Sequence, residues 1–368
     1  MPVGIAMLLA LVIGTLLGAV SGLLVTKGRL QPFIATLVTM TVYRGLIRDV
    51  ARIAGVSPAT VSRVMNGTAN VNEEKRQKVE DAIAQTGFCP NELARALYKK
   101  SSRIIGVIVP DIENPFFSEL AKAVEDEAFQ KGYRMLLCSS GNNQEKEMQN
   151  IQMLVQMKAD GIIIMTNCAG TGKMLKTCQV PVILVDRNVE GVNENAIVES
   201  DHYKGGYLAA EHLVKCGCKN IVCLREPSGY SSGIRRYKGY LDVCQKYGLK
   251  EQYVNCTYDY EDGRNAAKEA MEKYPDLDGI IASNDMVAMS VYKQLRKMGK
   301  KIPEEIQLIG FDDVNFGQVF TPELTTIHQP IREMGTVAAQ IVERCVEGQS
   351  YEKRNVFDVK LIQRETTK

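Results

Sequence analysis

The 368-residue chain holds three histidines (His202, His212 and His328), no tryptophan, and no acidic residue before Asp49. The histidines show no Ser–His–Asp or metal-ligand spacing, and no glycine-rich phosphate loop follows a strand-like run. Nucleophilic, metal-assisted and phosphoryl-transfer chemistries therefore lack their parts, and no enzyme is expected. The ten cysteines are scattered rather than set in a dense framework. With no recognisable signal cleavage site, they point to a reducing compartment. The tightest cluster is HLVKCGCK, with His212, Cys216 and Cys218. Cys-x-Cys is closer than the usual zinc pairing and no second pair follows at a matching interval, so these read as helix-end thiols. Neither a metal nor another cofactor is expected.

Charge is unevenly placed. The chain as a whole is bland, 24% charged with a net charge of +2. Residues 1–46 carry only Lys27, Arg29 and Arg44, whereas residues 47–103 hold ten basic against six acidic side chains. The remainder is mildly acidic. A small basic block ahead of a larger acidic body suits a nucleic-acid module joined to a soluble domain.

The first 46 residues pose a separate question. Residues 3–26 are uncharged and supply the roughly 20 residues needed to cross a hydrocarbon core. Gly14, Gly18 and Gly22 recur every four residues, giving the small face that membrane helices use for close packing. A second run, LQPFIATLVTMTVY, is short and interrupted by Pro32. Positive residues after the first run would keep the downstream chain cytoplasmic. The stretch LLGAVSGLLVTKGRLQPFIATLVTMTVYRGL resembles an internal piece of a ribose-type ABC transporter permease. Two expectations follow for 1–46: a fusion remnant, or an anchor that tethers cytoplasmic regulatory domains to the inner membrane through residues 3–26.

IRDVARIAGVSPATVSRVMNG has the form of two short helices around a tight turn. Val50, Ala51 and Ala54 line one face of the first helix, and Gly55 provides the turn, where the lack of a Cβ permits a sharp bend. Ser57 is a natural N-cap, and Pro58 sits at the first helical position, where its missing N–H costs no helical bond. Val61 and Val64 face inward at i and i+3. A third helix over roughly 73–85 presents Val79, Ala82 and Ile83, and Gly87 stops it. After Pro90, Asn91 can cap ELARALY, a helix under three turns and too short to be stable alone. It is a candidate for folding only when bound.

The pairing of DVARIAGVSPATVSRVMNG with PNELARAL is specific. Residues 47–368 resemble the LacI-type bacterial transcriptional repressors, most closely the ribose-operon repressors. The resemblance implies a homodimer on palindromic operator DNA, with recognition helices in successive major grooves and paired hinge helices opening the central minor groove. By motif position, Pro58 and Ala59 open the recognition helix at the base edges, and Arg63 reads bases directly through its two-pronged donor. Leu97 is the apolar wedge between base pairs. Ser57, Asn66, Arg95 and Lys99 hold phosphates, which position without reading sequence.

After Arg103 the runs IIGVIV, RMLLC, GIIIMT, PVILVD, NIVCL, DGIIASND and IQLIGFDD alternate with helical stretches. Runs apolar on both faces and spaced by helices indicate parallel strands buried on two sides. Two lobes, roughly 104–205 and 206–368 with late crossings, fit the length. The expected fold is thus multi-domain. A membrane-like helical N-terminal fragment (1–46) precedes a three-helix helix-turn-helix domain (47–90), and a hinge helix and linker follow (91–103). A two-lobed α/β domain like the periplasmic binding proteins (104–368) completes the chain, serving sugar binding and dimerisation.

Ligands of open α/β sheets bind beyond the C-terminal strand ends. Here those ends are PDIENPFF, DRN, REPSGYSSGIRR, SND and FDD. They offer aromatic faces for C–H groups and charged, forked partners for hydroxyls, the mixture a neutral polyol needs. The family likeness assigns Asn114, Phe116 and Phe117, with the rings sandwiching the sugar, and Asp186 and Arg187 on the next wall. It assigns Arg236 from the other lobe, with Arg235 competing for that role, and Asn284, Asp312 and Gln329 to complete the set. The effector implied is D-ribose, with a ribose phosphate or another pentose open, and sugar binding is expected to release DNA. Asp285, Asp312 and Asp313 could be imagined as a paired-carboxylate site, but nothing in the sequence argues for a raised pKa. The rival reading is a membrane-anchored sugar receptor or transport component, for which a recognition helix has no use.

Overall fold

The structure is a computed structural model. It describes residues 47–66, 71–87 and 101–368, except 167, 169, 190–194, 228 and 320. The chain divides into two compact units between Ser102 and Arg103.

The first unit is helical. Residues 47–54 form α1, followed by α2 (Pro58–Asn66) and α3 (Glu73–Thr86). Gly55 turns the chain between α1 and α2 at φ +64°. Val50, Ala51, Ala54, Val61, Val79 and Ala82 make one small core, with Val64 and Ile83 packed partly against it. Asn72 caps α3 by accepting from the Glu74 backbone N–H at 2.9 Å, which satisfies one of the donors a helix start leaves unpaired.

The second unit contains two six-stranded sheets. The first lobe supplies β1 (Ile104–Val109), α4 (Pro115–Gln130), β2 (Arg134–Ser139), α5 (Gln144–Gln156) and β3 (Gly161–Ile164). It continues with α6 (Thr171–Thr177), β4 (Val182–Val185) and β5 (Ala196–Ser200). The second lobe runs through α7 (His202–Lys215), β6 (Ile221–Arg225), α8 (Ser231–Tyr247), β7 (Tyr253–Asn255), α9 (Tyr260–Lys273) and β8 (Gly279–Ile281). Next come α10 (Asp285–Lys297), β9 (Gln307–Asp312), α11 (Phe316–Val319) and β10 (Thr326–His328). The chain then returns. α12 (Ile331–Glu347) sets Met334, Ala338 and Val342 in one core with Leu120 and Val124 of α4. β11 (Arg354–Phe357) pairs with β5, and β12 (Lys360–Ile362) pairs antiparallel with β10.

The strand orders are β11-β5-β4-β3-β1-β2 and β12-β10-β9-β8-β6-β7. All other pairings are parallel, as buried apolar runs require. β3, β4 and β8 are buried at every position. Covering helices leave the C-terminal strand ends of both sheets open toward the space between the lobes. The first crossing falls at residues 200–202, where β5 ends and α7 begins, and α12 with β11 makes the late crossing.

The expected membrane-like helical fragment at 1–46 lies outside the described residues. Among the described residues no helix is long and apolar enough to cross a membrane. The longest, α8 and α12, have 17 residues and carry charge throughout. The expected helical membrane fragment, the membrane association through residues 3–26 and the membrane tether thus find no support in the described residues. The reason is physical: an uncharged run of sufficient length meets the minimum for a span, but length alone does not specify one. Arg95, Leu97, Lys99 and the rest of the segment expected as a hinge helix also lie outside the described residues.

Candidate functional site

In the first unit, Thr60 N–H donates to Ser57 Oγ at 3.2 Å, so Ser57 caps α2 as its position requires. The core-facing Val61 is fully buried, while Ser57, Pro58, Ala59 and Arg63 are exposed. Arg63 lies in the last turn of that helix. The side chain of Asn66 lies outside the description.

In the second unit, a cavity of about 270 Å³ opens between the lobes. The first lobe lines it with Asp111, Asn114, Phe117 and Arg187, and the second with Glu226, Tyr230, Tyr258 and Asp259. Asn114 begins α4, accepting from the Phe116 N–H at 3.0 Å. Phe117 and Phe116 stand edge to face, ring centres 5.3 Å apart. Phe117 faces the cavity, whereas Phe116 is packed into the first-lobe core and does not line it. Two rings from one lobe do not sandwich a ligand here. The aromatic faces opposing Phe117 come from Tyr230 and Tyr258, which lie nearly parallel with centres 6.5 Å apart.

Below the cavity runs a buried polar network. Arg187 Nε lies 3.2 Å from Asp186 Oδ2 and donates to Ser232 Oγ across the lobes at 3.2 Å. The Arg187 guanidinium carbon sits 4.6 Å and 4.9 Å from the centres of the Tyr230 and Tyr258 rings, placing a cation over two aromatic faces. Arg236 donates through Nη1 to the Ser283 carbonyl at 2.7 Å and lies 3.6 Å over Phe311. Its Nη2 is 3.9 Å from Asp312 Oδ1, which also accepts from Gln329 Nε2 at 2.7 Å. Arg235 instead turns to Glu199 at 3.2 Å, beside Arg354, so of the two arginines Arg236 is the one that joins the buried network at Asp312. Asn284 caps α10 through Val287 N–H at 2.8 Å and donates to the Tyr258 carbonyl at 3.4 Å.

Two of these carboxylates sit on unfavourable backbone: Asp186 at φ +67° and Asp312 at φ +122°. Non-glycine residues held there cost about 1–3 kcal/mol each and persist only where surroundings fix them. Asp312 is fixed through its carbonyl by Gln329 N–H at 3.2 Å and through its side chain by the same residue. Burial drives the Asp312 carboxyl well up from its usual range, with Arg236 opposing. Close helix packing sets Arg236 in place. A Cβ on Gly206 of α7 would fall 2.0 Å from the Arg236 carbonyl oxygen, and one on Gly239 of α8 would fall 2.3 Å from the Tyr203 carbonyl.

The carboxylate cluster at 285, 312 and 313 is built differently from the sequence expectation. Asp285 is raised to about 7 by burial, so a physical cause for a raised pKa does exist. Yet both its oxygens serve the fold: Thr326 Oγ donates at 2.6 Å and Val314 N–H at 2.9 Å. A histidine does join the cluster, with His328 Nδ1 2.9 Å from Asp313, which also meets Arg364 at 2.5 Å. Asp285, Asp312 and Asp313 are not among the residues that line the cavity. At the end of α7, Cys216 Sγ donates to the Lys368 carbonyl at 3.0 Å and His212 meets Thr367 at 2.8 Å, so this cluster holds the last residues of the chain.

Two family models match the chain. Residues 46–91 match bacterial regulatory proteins of the lacI family, and residues 102–368 match the periplasmic binding proteins and sugar binding domain of the LacI family. The ribose operon repressor of Halalkalibacterium halodurans is 38% identical over 324 residues, covering 88% of this chain and 97% of that protein. Among solved structures, the lac repressor dimer bound to operator and the anti-inducer ONPF aligns at a TM-score of 0.76 and 25% identity, covering 86% of this chain and 97% of that one. A LacI family regulator from Enterococcus faecium with bound ribose aligns at 0.65 and 27% identity, covering 72% and 98%.

The chain belongs to the LacI family of bacterial transcriptional regulators. Within that family it is a sugar-responsive, DNA-binding repressor and not an enzyme. The permease likeness of residues 1–46 finds no support beside these matches and is set aside.

Proposed function

We propose that this repressor controls ribose uptake and utilisation genes and that D-ribose releases it from its operator. The observation that carries the reading is one inter-lobe cavity faced by Phe117, Tyr230, Tyr258 and Arg187, set above a buried polar network that joins Arg236, Asp312 and Gln329. Forked donors and carboxylates satisfy vicinal hydroxyls, and ring faces take C–H groups. Relatives named as ribose operon repressors, and a family member solved with ribose bound, support the same sugar.

In this reading the protein binds DNA as a homodimer. Pro58, Ala59 and Arg63 meet base edges, Ser57, Asn66, Arg95 and Lys99 meet phosphates, and Leu97 wedges the minor groove. Sugar binding draws the two lobes together and shifts the population away from the DNA-competent form, in proportion to its differential affinity for the two forms. Calorimetry of the full chain against D-ribose, D-xylose, L-arabinose and adenine tests the effector. Saturable heat with D-ribose at the lowest dissociation constant supports it. Heat only with another of these compounds moves the chain to a different effector class.

A further inference from the structure

His202 is the first residue of α7 and is wholly buried. Both ring nitrogens are engaged. Nδ1 lies 3.3 Å from Arg236 Nε, which can only donate, so Nδ1 carries no proton. Nε2 therefore bears the hydrogen and donates it to the Asp186 carbonyl at 3.0 Å, with Asp186 Oδ1 at 3.4 Å. The ring thus joins the end of β4 in the first lobe to α8 in the second.

Each partner needs this tie. Asp186 sits at φ +67°, in the left-handed region, where its surroundings must hold it. The Arg236 guanidinium is held at three points: the Ser283 carbonyl, the Phe311 face and His202. With these made, Nη2 is the edge left pointing toward Asp312. Removing the imidazole would leave a buried guanidinium N–H unpaired and let the fork rotate.

We propose that His202 is a positioning residue for the effector, a neutral Nε2–H imidazole that couples the Asp186 wall to Arg236 and holds its guanidinium turned toward Asp312. This rests on the sugar-binding reading of the cleft. The charged groups facing the ring are Asp186 from β4 and Arg235 and Arg236 from α8, with Asp312 reached through Arg236; Phe311 of β9 packs beside it at 6.2 Å. Protonation would remove the acceptor that Arg236 uses and add a cation beside two arginines. Burial, opposed by the Asp186 carboxylate, holds the imidazole down at about 4, in keeping with the neutral form.

Two measurements on the full chain test this. First, calorimetry with D-ribose compares His202→Leu, which offers no polar atom, with His202→Asn, whose carboxamide oxygen falls near the Nδ1 position. His202→Leu is expected to weaken binding at least tenfold, and His202→Asn to stay within about threefold of the parent. Operator affinity without sugar reports intact folding of both. Equal loss in the two variants, or no loss in His202→Leu, overturns the proposal. Second, ¹⁵N-histidine NMR reads the tautomer directly. The chain has three histidines, and the signal absent from His202→Asn is His202. A neutral Nε2–H ring between pH 5.5 and 8 supports the proposal, and an Nδ1–H or charged ring overturns it. If D-ribose gives no heat with the parent protein, the effector reading fails, and the NMR result still decides the role of His202.

Discussion

The guanidinium carbon of Arg187 lies 4.9 Å from the centre of the Tyr258 ring, so a cation of the first lobe caps an aromatic wall of the second. The contact needs a planar, delocalised charge that can stack while Nε still donates to Ser232. Arg187→Lys keeps the charge and loses the stack and the fork. It is expected to weaken D-ribose binding at least tenfold, about 1.4 kcal/mol, in calorimetry. Parent-like affinity would show that charge alone suffices.

Arg63 is exposed on the face of α2 opposite its buried Val61. Arg63→Ala should cost about 1–3 kcal/mol on the specific operator and relax preference at one base position. Gel-shift titrations on operator and random DNA across a salt series check this. Equal weakening on both DNAs would make Arg63 a phosphate contact.

Among the described residues, Asp111, Glu226 and Asp259 line the cavity against one cation, Arg187, which is already engaged by Asp186, Ser232 and two rings. A dianionic phosphate entering there meets like charge at low dielectric. D-Ribose 5-phosphate is therefore expected to bind at least tenfold more weakly than D-ribose, and competition calorimetry measures the ratio. Tighter binding of the phosphate would contradict this charge balance of the cavity.

Stability should depend on pH in two opposing ways. His202 titrates near 6.5 when unfolded and at about 4 in the fold. Its contribution is fully present above about 6.5 and is lost as pH falls toward 4, because the unfolded chain then takes up the proton. Asp285, raised by burial to about 7, contributes stability that is present below the ordinary carboxylate range and lost as pH rises through about 7. His202→Asn removes only the first effect. Urea unfolding of parent and variant should show the parent's advantage shrinking from pH 7 to pH 4.5, and a constant difference would contradict the assignment.

The seven apolar runs named from the sequence all became strands; six are buried on both faces, which leaves no polar alternation to confuse with a surface element, while RMLLC became the largely unburied edge strand β2. β7 escaped notice: it is three residues long, with only Val254 buried, and with it went Tyr258, which follows its end. Arg235 and Arg236 could not be separated in sequence, since neighbours on a helix point about 100° apart and either could face the cleft. Glu199 and His202 decide between them. His202 itself was invisible, because its partners come from residues 186 and 236 and obey no local spacing. Phe116 does not line the cavity for a related reason: NPFF fixes that two rings begin α4, but which of them meets the cavity depends on packing that residues distant in sequence supply.

The central claim is that one chain couples sugar in the cleft to release of DNA. Fluorescence anisotropy of a labelled palindromic operator, taken from the DNA upstream of the chain's own gene, tests it directly when the full-length protein is titrated with D-ribose at fixed salt. The account predicts that saturating D-ribose weakens operator binding at least tenfold, and that Asp312→Ala binds operator normally but no longer responds. Operator binding that D-ribose leaves unchanged or tightens would contradict it.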